Sequence, residues 1–393
     1  MPSHSEVCRA PSGIPAPLWE SYGTVDLSHN FNDSTIYWDD DGYYRLNVTI
    51  YNSTREGWFQ EDIIENVIHG GTHLDSPVHF YKDGWDATQI PLERLLFLPV
   101  ARVDVRDKVA LNSEYLLSTD DILNWEERHG RLPSGCLFVV HTGQSKHWPN
   151  RTAYMGIDAN GEKHFPAMTP ESASFLATER SVFGVGIDTP SVDAATVDTA
   201  HRAVSEANIF ILENLVRLEQ GPSPLPLKLL SKWEGEVDSM GKDEKVVLCL
   251  ASSSSIKRCG GPFVPPEKIV DISYSFNNRT VFWEDDVKFR LNVTRTGSTT
   301  EDWYQADHFL LPMRGGTYMD APIHFAPGKW SASQIPLERQ LFLPIVLVDV
   351  ERQASEQAAY QLSVDDLEHW EEQHGRIPNG ALVVARTGRS KVT

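Results

Sequence analysis

The chain has 393 residues, 40% of them hydrophobic and 23% charged, a globular mix that excludes wholesale disorder and leaves room for two domains. Its 55 Asp and Glu against 35 Lys and Arg give a formal net charge of −20, so nucleic acid and anionic membrane surface are not expected partners. It contains no apolar run long enough to span a bilayer, and its 4 cysteines are too few and too scattered for a disulfide framework or a cysteine zinc site.

The opening MPSHSEVCRAPSGIPAP lacks the apolar centre of a secretory signal. Six Asn-x-Ser/Thr sequons, at Asn32, Asn47, Asn52, Asn150, Asn278 and Asn292, point outward instead. Cysteine usage also allows the cytosol, so both an extracellular and a cytoplasmic home fit the sequence.

From Asp26 the chain begins a unit that it later repeats. DLSHNFNDSTIYWDDDGYYRLNVT from Asp26 realigns with DISYSFNNRTVFWEDDVKFRLNVT from Asp271. GGTHLDSPVHF from Gly70 realigns with GGTYMDAPIHF from Gly315, always at an offset of 245 residues. Three regions follow: a first copy over 20–219, a linker over 220–262 with Pro222, Pro224, Pro226 and a serine run, and a second copy over 263–393.

Within the first copy, His69, His73, Asp75 and His79 fall at odd positions beside Gly70, Gly71 and Pro77, which disfavour a helix. An extended segment would project all four to one side, where three imidazoles and a carboxylate suit Zn²⁺ or Mn²⁺. The bland alternative is a polar strand face with solvated histidines. Next, Ser118 to Gly130 reads as a capped amphipathic helix carrying Ile122 and Trp125, with Leu116 in its spacing. LFVV from Leu137 reads as a buried strand, and Thr169 followed by Pro170 opens a second helix. VFGVGID from Val182 is a further strand. Asp198 to Glu206 is a short helix bearing His201, and IFIL from Ile209 is a strand that ends in Glu213, an odd place for a carboxylate unless a cation or a donor meets it. The short apolar VVLCLA from Val246, inside the linker, reads as a strand or turn tucked against one copy. Strands alternating with helices indicate an α/β unit.

The motif HGGTHLDSPVHF from His69, GIDTPSVD from Gly186, and His201 followed by Glu213-Asn-Leu together resemble the metal-dependent cyclase family that includes bacterial-type kynurenine formamidase and isatin hydrolase. The resemblance covers Asp26 to about Leu218. It implies a swivelling β/β/α fold, followed by a truncated second copy of the same unit. It also implies two divalent ions, Zn or Mn, with His69, His73 and Asp75 on one and Asp75, His201 and Glu213 on the other. His79 matches the family's catalytic histidine, and Trp38 stands where the family places a substrate-contacting aromatic. The activity implied is hydrolysis of a small aromatic amide, most simply N-formylkynurenine to formate and kynurenine in tryptophan catabolism. Opening of a cyclic amide of the isatin type is the alternative, and a non-catalytic binding or scaffold protein is the alternative of another class. Phe80, Trp85 and His164 join Trp38 as candidate pocket residues, with ordinary core packing as the alternative, and for Trp85, which Trp330 repeats in the second copy, packing is the favoured reading.

In the second copy Arg314 and Tyr318 replace His69 and His73, and the sequence stops before any counterpart of His201 or Glu213. A guanidinium cannot ligate a cation, and tyrosine is a poor ligand at neutral pH. The second copy is therefore expected to be inert, packing on the first as an internal substitute for a dimer partner. A homodimer is the other arrangement.

Overall fold

The computed structural model describes residues 24–53, 57–220 and most of 289–389, with four short strands between 227 and 251 and a few single residues besides. The chain divides into two compact units: Thr24–Ser254 with Phe263–Ser333, and Gln334–Thr393 with Met1–Gly23 and Ser255–Pro262. This division cuts through the second repeat and not at its start.

In chain order the strands of the larger unit are β1 (Thr24–Asp26), β2 (Tyr44–Ser53), β3 (Gly57–Val67), β4 (His73–Asp75), β5 (Leu96–Asp104), β6 (Leu116–Leu117), β7 (Leu137–His141), β8 (Ala167–Met168), β9 (Gly184–Ile187), β10 (Phe210–Glu213), β11 (Leu227–Leu230), β12 (Glu234–Val237), β13 (Asp243–Lys245), β14 (Cys249–Ala251), β15 (Arg290–Thr296) and β16 (Tyr304–Pro312). Eight of them form one sheet in the order β1-β14-β11-β5-β7-β9-β10-β4. Its centre, β5-β7-β9-β10, is parallel. The connections there run through helices α1 (Thr119–His129), α2 (Pro170–Glu179) and α3 (Thr199–Glu206), as parallel pairing requires. Ser118 and Asp121 close a capping box on α1, and the Thr169 hydroxyl accepts from Ser172 N at the start of α2. Leu116, grouped with the first helix by spacing, instead pairs in β6 with β8, because the helix cannot begin before its cap.

Side chains of β7 alternate between two cores. Phe138 and Val140 pack with Ile122, Leu176, Val204 and Ile211, whereas Leu137 and Val139 pack with Leu74, Leu98, Phe210 and Leu212. All five β7 residues are buried, which is why the stretch reads as a continuous apolar run. Cys249–Ala251, the described part of the short apolar run in the linker, pairs with β1 and β11 at the antiparallel edge of this sheet.

A second sheet, β15-β16-β3-β2, joins the two repeats. In the β16–β3 ladder Glu65 pairs with Leu310, its own counterpart in the other repeat, and His308 with Val67 mirrors Pro312 with Ile63. A register that maps onto itself when the repeats are exchanged is that of a two-fold contact.

In the smaller unit β17 (Ile345–Asp349), α4 (Val364–His374) and β18 (Leu382–Arg386) repeat the end of β5, α1 and β7 at the same offset. Val346, Val348 and Val350 form its core with Leu367 and Trp370. Among the described residues no helix is long and apolar enough to cross a membrane.

Candidate metal centre

The histidine-rich segment does not stay extended throughout. Only His73–Asp75 is strand, and Pro77, lacking an N–H for the ladder, opens a single 3₁₀ turn that ends at His79. Gly70 passes so close to the Tyr37 ring that a Cβ there would lie 2.1 Å from it. Gly71 adopts φ +61°, the left-handed conformation that glycine takes without strain, and its carbonyl accepts the Nδ1–H of His73 at 3.0 Å. That bond turns Nε2 of His73 inward.

β4 lies antiparallel to β10, with His73 opposite Glu213. This register brings together side chains from distant parts of the sequence. Asp75 Oδ1 lies 2.9 Å from His69 Nδ1 and 3.3 Å from His73 Nε2, while Oδ2 lies 3.5 Å from His201 Nε2. Glu213 places Oε1 3.2 Å from His201 Nε2 and Oε2 3.6 Å from His73 Nε2. All five predicted donors converge, with Asp75 between two imidazole groups. The donor atoms of Asp75, His79 and His201 also lie within 4.8 Å of one another, so His79 sits at the cluster as well. Its ring stacks on His69 at 4.0 Å between centroids.

The cluster is buried, Asp75 to 2% exposure, and neither Asp75 oxygen has a hydrogen-bond partner among the described residues. An unpartnered carboxylate ringed by imidazole nitrogens in a buried site is what a divalent cation satisfies, so the residues present fit such a group. Electrostatics agree. Burial disfavours charge on His73, yet Asp75 and Glu213 raise its pKa to about 9. Burial disfavours charge on His201 too, yet the carboxylates of Asp193, Asp75 and Glu213 around its ring raise it well above the usual range. Burial and then the neighbouring Asp75 charge push Glu213 upward. His79 is pushed well below its usual range, first by burial and then by His69, so it is a neutral imidazole. The cavity beside the cluster has a volume of about 160 Å³ and is lined by Trp38, Phe80, His79, Met155 and Tyr304 among others.

A family model described as "Putative cyclase" matches residues 25–194 and 270–393, three quarters of the chain. The chain belongs to this cyclase family. This cyclase is 30% identical over 166 residues to the isatin hydrolase of Roseibium aggregatum, a match spanning 39% of this chain and 62% of that protein. It is 28% identical over 214 residues to the kynurenine formamidase of Geobacillus thermodenitrificans, covering 52% of this chain and 90% of that one. Among solved structures, isatin hydrolase A from Ralstonia solanacearum shares the fold with a TM-score of 0.53 at 24% identity, over 60% of this chain and 94% of that one. Isatin hydrolase A from Labrenzia aggregata, bound to benzyl benzoate, matches with a TM-score of 0.50 at 26% identity, over 60% and 94%. The mixed α/β fold expected from the sequence is therefore shared with the solved isatin hydrolases over about 60% of the chain.

Other expectations divide. Trp38 lines the cavity, its carbonyl accepting from Lys163 Nζ at 2.9 Å and its ring facing the same ammonium. Phe80 lines it too. Trp85 packs on the Leu74 and Phe210 core, as its repetition at Trp330 suggests, whereas His164 is partly exposed and paired with Glu114 at 2.8 Å, so neither is a pocket residue. Three contributors escaped sequence reading. Asp193 accepts from His201 Nδ1 at 2.8 Å and from His201 N at 2.8 Å, fixing that ring as a carboxylate partner fixes a ligating histidine. Its place in GIDTPSVD was the available signal. Tyr304 and the Gln305 carbonyl come from the second repeat; the carbonyl accepts the Nδ1–H of His79.

Proposed function

We propose that the first repeat is a metal-dependent hydrolase of small aromatic amides, most simply an arylformamidase that converts N-formylkynurenine to kynurenine and formate. The observation that carries this reading is the position of Asp75 between two imidazole groups, beside a cavity near the ~150 Å³ that accepts a single benzene ring. His69, His73 and Asp75 would hold one divalent ion, and Asp75, His201 and Glu213 a second, Zn or Mn. When bound, such ions supply Lewis acidity and lower the pKa of water.

The chain's own residues supply the rest. Because Nδ1 of His79 is committed to the Gln305 carbonyl and burial keeps the ring neutral, Nε2 is the free basic nitrogen. His79 takes a proton from the attacking water at Nε2 and gives it to the leaving nitrogen, so the C–N bond breaks without releasing an amide anion. Asp193 and the Gly71 carbonyl hold His201 and His73 in the tautomers that aim Nε2 inward. Trp38 and Phe80 offer aromatic faces to the substrate ring. The second repeat, through β16 on β3, occupies the place a second copy would take in a dimer.

A second reading, opening of a cyclic amide of the isatin type, is favoured by the likeness to isatin hydrolases and needs the same groups. Parallel spectrophotometric assays with N-formylkynurenine and isatin, with and without a chelator, separate the readings. Chelator-sensitive turnover of the formamide supports the first, and of isatin alone the second. No turnover of either by metal-loaded protein leaves a binding or scaffold protein.

A further inference from the structure

The two-fold contact between the repeats is symmetric in its backbone and asymmetric in its side chains. The Trp303 indole donates to the Val78 carbonyl at 2.7 Å, and its counterpart Trp58 donates to the Ile323 carbonyl at 3.2 Å. His79 donates to the Gln305 carbonyl, and its counterpart His324 donates to that of Gln60. Each repeat thus lays the start of one strand, β3 or β16, against the other's 3₁₀ turn.

What those strands present has diverged. To the Arg314 corner, β3 presents Phe59, its ring 5.8 Å from the guanidinium, and Glu61, which forms an ion pair with Arg314. To the His69 corner, β16 presents Tyr304 and Ala306 at the same two positions, and both line the cavity. Where one corner receives a carboxylate that neutralises a guanidinium, the other receives a methyl group that leaves room. Where one receives a phenyl ring, the other receives a phenol. The Tyr304 ring lies 5.0 Å from His79 and 5.4 Å from Phe80 between centroids, and its hydroxyl makes no hydrogen bond among the described residues. Burial raises its pKa to about 12, so it stays a proton donor.

We propose that the degenerate repeat is a dedicated wall of the single site: Tyr304 is a specificity residue whose hydroxyl donates to a carbonyl or carboxylate oxygen of the aromatic amide, Ala306 keeps that wall open, and the Gln305 carbonyl positions His79. The inference rests on the amide-hydrolase reading for its substrate class. The Arg314–Glu61 pair is the reciprocal change, filling the corner that no longer needs a ligand.

Three variants of the full chain test this: Tyr304→Phe, Ala306→Glu and, as the mirror control, Phe59→Tyr. Turnover of N-formylkynurenine and isatin is read alongside equilibrium binding of formanilide, followed by tryptophan fluorescence, and metal content. Tyr304→Phe should raise KM for the substrate turned over by about 3–10-fold, the worth of one hydrogen bond, with kcat nearly unchanged. Ala306→Glu should weaken formanilide binding at least about tenfold by filling the cavity, with metal content unchanged; Phe59→Tyr should change neither. Circular dichroism checks folding, and the near-isosteric Tyr304→Phe keeps the test valid if Ala306→Glu does not fold. Should the wild type bind formanilide but hydrolyse neither substrate, the hydrolase reading fails while the wall is still tested by binding to Ala306→Glu. Unchanged KM in Tyr304→Phe, or unchanged binding in a folded Ala306→Glu, overturns the wall. A wild type that neither binds nor turns over overturns both.

Discussion

The corner around His69 and the corner around Arg314 share a backbone and the histidine and tryptophan bonds to the facing strand, but not their ligands. Gly71 and Gly316 have φ of +61° and +59°, and Tyr37–Gly70 and Phe282–Gly315 form the same isolated bridge. Ser76 and Ala321 enter their 3₁₀ turns at ψ 152° in both. Yet Asp75 is buried at 2% among imidazoles, whereas the Asp320 side chain is 49% exposed, 3.7 Å from His324, and Tyr318 is 42% exposed. Glycine, proline and packing hold this loop whether or not it carries ligands. The chemistry is laid onto a scaffold that stands without it.

That separation can be broken or sharpened by paired substitutions. The largest difference is expected at the aspartates: Asp75→Ala should lose metal and turnover together, a deeper loss than removing a proton-transfer group. Asp320→Ala should leave both intact, as read by elemental analysis and initial rates. His79→Ala should lower kcat by about 10²–10⁴ with metal retained, and His324→Ala should not. Asp193→Ala, which frees the His201 ring, should weaken metal affinity by about 10–100-fold in a chelator competition. The smallest effect lies at the helix caps. Ser118→Ala should cost about 1 kcal/mol in thermal unfolding, and Ser363→Ala, on the exposed counterpart helix, no more, with turnover unchanged in both.

Local chemistry was legible in the sequence. Caps at Ser118 and Thr169 and the apolar run at β7 each follow from neighbouring residues, and the helices begin where their caps stand. Part of the donor set was legible as well, because His69, His73 and Asp75 fall within seven residues; His201 on α3 and Glu213 at the end of β10 joined them only through the family resemblance. His79 was placed by alternation along an extended strand, but Pro77 turns the chain, and the residue reaches the cluster by a different path. Less visible were contacts fixed by sheet register. The partner of His79 Nδ1 stands 226 residues away, and no local pattern marks a main-chain carbonyl. A comparison of Phe59 with Tyr304 and Glu61 with Ala306 could have signalled the divergence, since identical walls need not differ at both positions facing a site.

A two-ion centre in the first repeat requires Asp75 to join two sets of ligands. The most direct test is the metal stoichiometry of the purified full-length wild-type chain and of Asp75→Ala, after loading with Zn²⁺ or Mn²⁺ and desalting. About two ions per wild-type chain, falling toward none in the variant, is the predicted result. A metal-free wild type, or a folded variant that keeps its full complement, would contradict it.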